Sequence, residues 1–422
     1  MIFNSATIER TDTVTGVDAA MRRAIDLAYR GPEAGPNPRV GCVILAPAAG
    51  SAASDSFARD SFARDSFARD TPAHATAPNA ERRILGEGYH RGAGTAHAEV
   101  DALRDARERG ADLAGATAIV TLEPCSHTGR TGPCTEALAA AGIREVIYAV
   151  DDPNPEAAGG ATYLSEQGIR VQSGVGRDEA FELVRIWATS VQLGRPYVTL
   201  KLATTLDGKI AAEDGTSQWI TSAASRSHAH ETRSRVGAIL VGTGTVLADD
   251  PSLTARDALG DSRPQQPLRV ALGERPVPPG ARMRGSAAEF LHLPTRDPRE
   301  ALRALGEREI RHVLVEGGAS VAAAFLQAGL VDELNTYLAP VILGSGKSAV
   351  GPLGIETLAD ASRWHTTEVS RLGQDTFIRA VKLPAVSDDR DPGIRAECPE
   401  PDLLSRSDVA TERDIALSNP GA

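Results

Sequence analysis

Aromatic residues, cysteines and positive charge are all scarce in this sequence of 422 residues. Phe, Trp and Tyr together make up 4% of it, too few for the stacking platforms that bind single-stranded nucleic acid. The formal net charge is −11, whereas sequence-independent binding to long nucleic acids needs a basic surface. We therefore expect no nucleic-acid partner.

Long apolar runs and a secretory leader are also missing. The longest apolar runs, such as 237–242 and 270–273, have the length of strands and fall far short of the ~20 residues of a membrane helix. The first ten residues contain no basic stretch followed by an apolar one. Four cysteines do not make a disulfide framework in a chain of this length. These absences predict a cytoplasmic protein that does not associate with membranes.

Helical and strand patterns alternate in two long regions, which predicts an α/β protein with two domains. In the first region we expect helices at 18–30, 98–109 and 135–141 and strands at 40–45, 84–89, 116–122 and 145–150. In the second we expect strands at 197–203, 238–241, 268–272, 312–315 and 333–339 and helices at 222–234 and 320–328. A helix at 178–193 links the regions and ends at Gly194-Arg195-Pro196, a natural boundary.

Three segments fit neither pattern. Residues 46–80 contain three tandem copies of S-F-A-R-D, at 56–60, 61–65 and 66–70, which are too short for a solenoid unit. They predict an insertion in a surface loop, since long loops cost little entropy, and a docking role is the alternative. We also expect a flexible N-terminus at 1–16 and a disordered acidic tail at 385–422.

The clearest chemical signal is His97, followed by Glu99, Cys125 and Cys134. One imidazole and two thiolates are good Zn²⁺ ligands, and three protein ligands leave a fourth position for water, as in catalytic sites. Zinc lowers the pKa of that water towards ~7. Glu99 is then placed to take the proton from the water and pass it to a leaving amine, and the order of these residues is typical of zinc nucleobase deaminases.

The cysteine spacing departs from the usual deaminase pattern. Eight residues, 126–133, separate the two cysteines, where two are usual. The spacer contains His127, Arg130 and two glycines, which together suit an anion-binding loop. A coincidental grouping of His and Cys is the alternative.

A second signal follows the predicted strand at 312–315. Glu316-Gly317-Gly318-Ala319-Ser320 opens a predicted helix. Glycines at a helix N-terminus favour binding of a nucleotide phosphate, although a plain strand–helix turn has the same pattern.

Several blocks of sequence resemble one family, the bifunctional diaminohydroxyphosphoribosylaminopyrimidine deaminase/reductases of riboflavin synthesis (RibD). The deaminase half of that family is similar in P-N-P-R-V-G-C-V-I at 36–44, G-E-G-Y-H at 86–90, C-S-H-T-G-R-T-G-P-C at 125–134 and D-P-N-P at 152–155. The reductase half is similar in K-L-A-T-T-L-D-G-K-I at 201–210, S-Q-W-I-T at 217–221, D-D-P at 249–251 and V-E-G-G at 315–318. The resemblance covers about 17–175 and 195–383, with Gly132 and Ala96 standing where the family has Pro.

The resemblance implies a fold and domain boundaries. A cytidine-deaminase-like α/β/α sandwich at 17–175 is followed by a linking helix at 176–194. A dihydrofolate-reductase-like α/β domain follows at 195–384. A homo-oligomer is expected by analogy with the family.

The resemblance also implies site residues. His97, Cys125 and Cys134 would hold one zinc ion, Glu99 would be catalytic, and Asn37, His90 and His127 would line the deaminase substrate pocket. In the reductase half, the residues implied to bind NADPH are Ala203, Trp219, Thr245, Asp249, Gly318, Ala319 and Ser320. Those implied to bind substrate are Lys201, Ser217, Arg233, Leu253, Arg256 and Glu316. Gly273-Glu274 departs from the family, which puts one NADPH contact in question.

The expected function is therefore a two-step enzyme of riboflavin synthesis. It would hydrolytically deaminate 2,5-diamino-6-(5-phosphoribosylamino)pyrimidin-4(3H)-one to 5-amino-6-(5-phosphoribosylamino)uracil and then reduce the ribosyl group to ribityl with NADPH. The alternatives are a zinc deaminase acting on another base and a non-enzymatic or half-active homologue that binds ligand without turnover.

Overall fold

The computed structural model describes residues 12–48, 80–127 and 132–382. Most of the predicted N-terminal extension, the S-F-A-R-D repeats and the predicted acidic tail lie outside these residues. Within the described part of the chain, no helix is long and apolar enough to span a membrane.

The first half forms a six-stranded mixed sheet with the strand order β1-β3-β2-β4-β5-β6. Its strands are β1 (Thr13–Thr15), β2 (Gly41–Leu45), β3 (Glu81–Tyr89), β4 (Thr117–Leu122), β5 (Glu145–Val150) and β6 (Arg170–Ser173). Its helices are α1 (Gly16–Ala28), α2 (Ala98–Glu108), α3 (Cys134–Ala140) and α4 (Gly160–Glu166), and α5 (Arg177–Leu193) leads into the second half. The strands β1, β3, β2 and β4 pair antiparallel, and β4, β5 and β6 pair parallel.

Glycines in two paired strands show that helices cover both faces of this sheet. Gly41 of β2 lies directly against α1, where an added Cβ would collide with the backbone carbonyl of Ala24. Gly88 of β3 lies against α2 in the same way, at Ala98 and Ala102. Gly88 pairs with the residue after Gly41, and successive side chains point to opposite faces. Helices α1 and α2 therefore lie on opposite faces, which confirms the predicted α/β/α sandwich.

The second half forms an eight-stranded mixed sheet with the strand order β11-β10-β9-β12-β7-β13-β16-β15. Its strands are β7 (Tyr197–Thr205), β9 (Ala238–Gly242), β10 (Leu268–Leu272), β11 (Phe290–Leu293), β12 (His312–Val315), β13 (Glu333–Ala339), β15 (His365–Leu372) and β16 (Asp375–Val381). The short strands β8 (Lys209–Ala211) and β14 (Lys347–Ser348) form a separate pair. The helices are α6 (Ala223–Arg233), α7 (Thr243–Asp249), α8 (Pro298–Gly306) and α9 (Ala319–Gln327).

The six strands from β11 to β13 run parallel, and the inner strands β9, β10 and β12 are buried on both faces. In β12, Val313 and Val315 pack into one apolar cluster, and Leu314 between them packs into another. Continuous apolar runs are typical of parallel strands covered on both sides. The α/β class predicted for this half is confirmed.

The structure differs from the sequence prediction mainly at short or peripheral elements. Strand β1 pairs with β3, and α1 begins at Gly16, so the flexible N-terminus predicted for 1–16 is wrong for its last residues. The sequence analysis also missed several elements, which are short or lie at sheet edges: α4, β6, α7, β8, α8, β11, β14, β15 and β16.

Candidate functional site

The imidazole of the predicted metal site stands at the start of α2. His97 is the N-cap residue of this helix and has an extended backbone (φ −68°, ψ 162°). Glu99 lies two residues further on, in the first helical turn, and is 4% exposed. The close packing of α2 on Gly86 and Gly88 of β3 holds both side chains in place.

The two cysteines come from separate segments that hydrogen bonds join. Cys125 follows β4, and Cys134 is the first residue of α3. The carbonyl oxygen of Cys125 accepts from both the backbone N–H and the hydroxyl of Thr135, each at 3.3 Å. The two segments thus meet despite the eight-residue spacer, of which residues 128–131 are not described.

The three predicted ligands converge on one point. His97 Nδ1 lies 3.6 Å from Cys125 Sγ and 3.3 Å from Cys134 Sγ, and all three donor atoms lie within 4.8 Å of one another. Tetrahedral zinc with ordinary Zn–N and Zn–S bonds sets these N–S separations at about 3.6 Å. The donor chemistry and the spacing both fit zinc.

The electrostatics of the cluster favour a bound cation. A hydrogen bond with the Cys134 thiol lowers the pKa of Cys125 well below its usual range, and the imidazole of His97 acts in the same direction. One thiolate therefore forms readily, and zinc binding deprotonates coordinating thiols. Burial raises the pKa of Glu99 to about 7, in the range useful for proton transfer at neutral pH.

Two predicted pocket residues form one wall beside the metal ligands. Asn37 Nδ2 donates to His90 Nε2 at 2.9 Å, while His90 Nδ1 lies 3.1 Å from the carbonyl oxygen of Ala96. Burial lowers the pKa of His90, so its ring is neutral, with the proton on Nδ1. Both residues line the cavity that contains His97, Glu99 and Cys125.

His127 lines the same cavity, and its buried Nδ1 has no hydrogen-bond partner among the described residues, which exclude the adjoining 128–131. Among the lining residues that the sequence analysis did not assign to the site are Asp152, Trp187 and Arg311. Asp152 lies in the D-P-N-P block that the analysis noticed, and Trp187 is an aromatic residue on the linking helix. No sequence signal marks Arg311, because it comes from the second half and reaches the cavity only through tertiary packing.

In the second half, the structure brings together Lys201, Arg233 and Glu316. Arg233 donates from Nε and Nη2 to the two carboxylate oxygens of Glu316, at 2.8 and 2.7 Å. Lys201 Nζ lies 3.8 Å from the same carboxylate. Burial alone would raise the pKa of Glu316, but the two cations lower it to about 2. The cluster lies at the carboxyl end of β12, and ligands of α/β sheets bind at the carboxyl ends of their strands.

The predicted substrate residues Leu253 and Arg256 adjoin this cluster through Thr254. The carbonyl oxygen of Thr254 accepts from Arg233 Nη1 at 3.3 Å, and its hydroxyl accepts from Arg256 Nε at 3.1 Å. Leu253 is buried in the left-handed backbone region (φ 53°).

The predicted cofactor residues fall into two groups. Gly318 is the N-cap residue of α9, which begins with Ala319 and Ser320, and a Cβ added at Gly318 would lie 3.6 Å from Thr245 Oγ1 in α7. The start of α9 therefore lies close to Thr245 of α7, and glycine at a helix N-terminus favours a phosphate.

The other predicted cofactor residues lie in other segments of this half. Ala203 lies in β7 and packs beside Tyr337. Asp249 is exposed at the end of α7. Trp219 is 68% exposed, with Arg226 4.5 Å from its ring centroid, and the predicted substrate residue Ser217 lies in the same loop. At the departure from the family pattern, Glu274 pairs with Arg296 at 3.0 Å on the surface.

Two family profiles match the two halves of the chain. Residues 15–150 match the cytidine and deoxycytidylate deaminase zinc-binding region, which contains the His97–Cys125–Cys134 cluster. Residues 196–378 match the RibD C-terminal domain, a reductase domain that uses NADPH.

Curated relatives and solved structures match most of the chain. The riboflavin biosynthesis protein RibD of Mycobacterium tuberculosis (strain H37Rv) is 47% identical over 300 residues, which cover 71% of this chain and 87% of that protein. RibD of Escherichia coli K12 is 38% identical, covering 86% of this chain and 98% of that protein.

Two crystal structures share the fold over nearly their whole length. One is a diaminohydroxyphosphoribosylaminopyrimidine deaminase/5-amino-6-(5-phosphoribosylamino)uracil reductase of Thermotoga maritima (TM-score 0.71, 33% identity), and the other is RibD of Acinetobacter baumannii (TM-score 0.72, 35% identity). Each similarity covers 87% of this chain and 99% of the other. On this similarity in sequence, fold and metal-site chemistry, the chain belongs to the RibD family of bifunctional deaminase/reductases of riboflavin biosynthesis.

Proposed function

We propose that His97, Cys125 and Cys134 hold the zinc ion of the deaminase half and that Glu99 is its catalytic acid–base. The observation that carries this assignment is the convergence of the three donor atoms within 4.8 Å, in a cavity that Glu99 also lines. When bound, zinc lowers the pKa of a water molecule towards ~7 and so supplies a nucleophile at neutral pH.

Glu99 then carries the proton through the reaction. Its carboxylate takes the proton of the attacking water, and the new C–O bond forms at the ring carbon that bears the 2-amino group. The same carboxyl group donates the proton to the amine, the C–N bond breaks, and ammonia leaves. The neutral pair of Asn37 and His90 offers fixed hydrogen-bonding groups that orient the pyrimidine ring.

In the reductase half, bound NADPH would supply the hydride that reduces the ribosyl carbon while solvent supplies the matching proton, so that the sugar opens to a ribityl chain. We assign Gly318, Ala319, Ser320 and Thr245 to the cofactor phosphates, because they lie together at the N-terminus of α9. Ala203, Trp219 and Asp249 complete the proposed cofactor set. Lys201, Ser217, Arg233, Leu253, Arg256 and Glu316 form the proposed substrate set.

The proposed substrate of the first step is 2,5-diamino-6-(5-phosphoribosylamino)pyrimidin-4(3H)-one, and that of the second is the deaminated product. The proposed domains are the deaminase at 17–175, the linking helix at 176–194 and the reductase at 195–384. The matches of the two family profiles support this division.

We further propose a cytoplasmic homo-oligomer. Leu206 and Ile342 are 55% and 73% exposed, and the N–H of Leu206 donates to the carbonyl oxygen of Val341 at 2.8 Å. These side chains form an exposed apolar patch that suits a second copy of the chain. Light scattering of the purified protein should give a mass of at least two chains, and Ile342→Asp should reduce it.

Metal analysis tests the zinc assignment directly. His97→Ala and Cys134→Ala should lower the zinc content from one ion per chain to near zero and stop ammonia release. Cys42→Ala is the matched control, since Cys42 is buried in β2 outside the cluster. Full zinc content in both ligand variants would contradict the assignment.

A further inference from the structure

The cavity of the deaminase half includes one arginine from the reductase half. Arg311 immediately precedes β12, and its carbonyl oxygen accepts from the N–H of Tyr197 at 2.8 Å. Its side chain lines the same cavity as His97, Glu99 and Cys125. The deaminase cavity is therefore built from both halves of the chain.

Within the described part of the chain, no partner is seen for the side chain of Arg311. Its Nε is buried without a hydrogen-bond acceptor, and among residues 12–48, 80–127 and 132–382 the guanidinium forms no ion pair within 4.0 Å. Buried polar groups in proteins are nearly always hydrogen-bonded, and leaving one unpaired is costly. A guanidinium held in a substrate cavity without an acceptor is therefore suited to a ligand that supplies one.

The wall that carries Arg311 is fixed against the deaminase half. Trp187 of α5 also lines the cavity, and its indole N–H donates to the carbonyl oxygen of Pro36 at 3.1 Å, next to Asn37. Glu33 forms ion pairs with Arg235 of the reductase half at 3.0 Å and with Arg39 at 3.1 Å. The Glu33–Arg235 pair crosses between the halves, and the Trp187 hydrogen bond joins the linking helix to the deaminase half, so the two walls of the cavity are joined.

The charges around the cavity point to the class of ligand group. Arg311 is the single Lys or Arg among the described residues that line it, where Glu99, Glu123 and Asp152 supply negative charge. The carboxylate of Glu123 already accepts from the N–H groups of Asp152 at 3.2 Å and Ala161 at 2.9 Å. The substrate of the deaminase step carries a phosphate several bonds away from the carbon that is attacked. A guanidinium binds such a phosphate with two parallel hydrogen bonds.

We propose that Arg311, supplied by the reductase half, binds the 5′-phosphate of the substrate in the deaminase cavity. This inference rests on the proposed function of the deaminase half and adds a residue that determines substrate specificity. It also gives the fusion of the two halves a role in the first step, because the deaminase half alone lacks this contact.

Steady-state kinetics of Arg311→Gln test the proposal. The KM for the phosphorylated substrate should rise by ~10- to 100-fold with little change in kcat, since a charged hydrogen bond to phosphate is lost. Arg311→Lys should recover part of this loss. The dephosphorylated ribosyl compound, used as a competing inhibitor, should keep the same inhibition constant in wild type and variant.

Two controls separate binding from structure. Arg308→Gln alters a nearby exposed arginine that pairs with Glu289 at 3.3 Å and should leave both constants unchanged. Reduction of the deaminated intermediate by NADPH should be the same in Arg311→Gln and wild type, which shows that the reductase half is intact. Inorganic phosphate should compete with the phosphorylated substrate in wild type but not in Arg311→Gln.

Several results would overturn the proposal. Equal weakening of the phosphorylated and dephosphorylated compounds would assign Arg311 a structural role. An unchanged KM in Arg311→Gln, with discrimination lost in Arg130→Gln instead, would place the phosphate contact on the 126–133 segment. If wild type releases no ammonia at all, the proposed deaminase function itself fails, and the inference fails with it.

Discussion

Replacing Glu316 with Gln removes the negative charge from the buried cluster in the reductase half. The carboxylate accepts two hydrogen bonds from Arg233 at 2.8 and 2.7 Å, and Lys201 lies 3.8 Å away. The pKa of Glu316 falls from 4.5 to about 2, a shift of about 2.5 units. At 1.36 kcal/mol per unit, the folded state gains ~3 kcal/mol from ionising this group.

The sign of this contribution fixes its pH dependence. Because the folded pKa is depressed, the stabilisation is fully present above pH 4.5 and is lost as the pH falls towards 2. Glu316→Gln leaves two cations close together without their counter-charge. Breaking a buried ion pair in this way costs ~3–5 kcal/mol. The pKa of Glu316 and this general cost therefore agree that Glu316→Gln lowers the free energy of unfolding by ~3 kcal/mol or more at pH 7.

Urea unfolding at pH 7 of wild type, Glu316→Gln, Arg233→Gln and the double variant measures this loss. The double variant should lose much less than the sum of the single losses, since the second change removes a charge already left unpaired. The control is Glu368→Gln, whose pair with Arg379 at 3.4 Å is partly exposed and should contribute under ~1 kcal/mol. A loss below ~1 kcal/mol for Glu316→Gln, or strictly additive losses, would refute the reasoning.

Three further predictions concern packing, pH and metal. Gly88→Ala should destabilise the deaminase half by ~1–3 kcal/mol and reduce its zinc content, because the new methyl group displaces α2. The control Gly280→Ala, with open space around it, should change neither quantity. Burial lowers the pKa of His312 to about 3, so the free energy of unfolding should fall as the pH decreases from 6.5 towards 3. This free energy should fall less steeply with pH in His312→Asn, and an equal dependence in wild type and variant would contradict the prediction. A zinc chelator should stop ammonia release while leaving reduction of the supplied intermediate unchanged, and joint loss of both activities would contradict a zinc site confined to the first half.

The zinc site is the part that local sequence predicts best. His97 and Glu99 are two residues apart, and a helix start fixes their relative position whatever the rest of the chain does. The two cysteines needed more than spacing, because the hydrogen bonds from Thr135 to Cys125 hold their segments together.

The sequence analysis did not predict contacts between distant segments of the chain. Arg233 and Glu316 were each predicted to hold substrate, but their mutual ion pair appears only when α6 meets the end of β12. Arg311 gave no signal at all, since a single arginine before a strand is typical of any solvent-exposed loop.

For the fold as well, strong local patterns were predicted and elements that depend on distant segments were missed. Strong periods predicted the central strands and the long helices, such as β7 and α5. Edge strands such as β6 and β11 were missed because they are four residues long and lie at the edge of a sheet, where they are not fully buried. The equally short β12 lies inside its sheet, and its run of Val313, Leu314 and Val315 was predicted.

Separate assays of the two activities in Glu99→Gln test the central claim most directly. With the diaminopyrimidine ribosyl phosphate as substrate, the variant should bind zinc as wild type does, release no ammonia and consume no NADPH. When the deaminated intermediate is supplied, it should oxidise NADPH at the wild-type rate. Ammonia release at the wild-type rate by zinc-loaded Glu99→Gln would contradict the account.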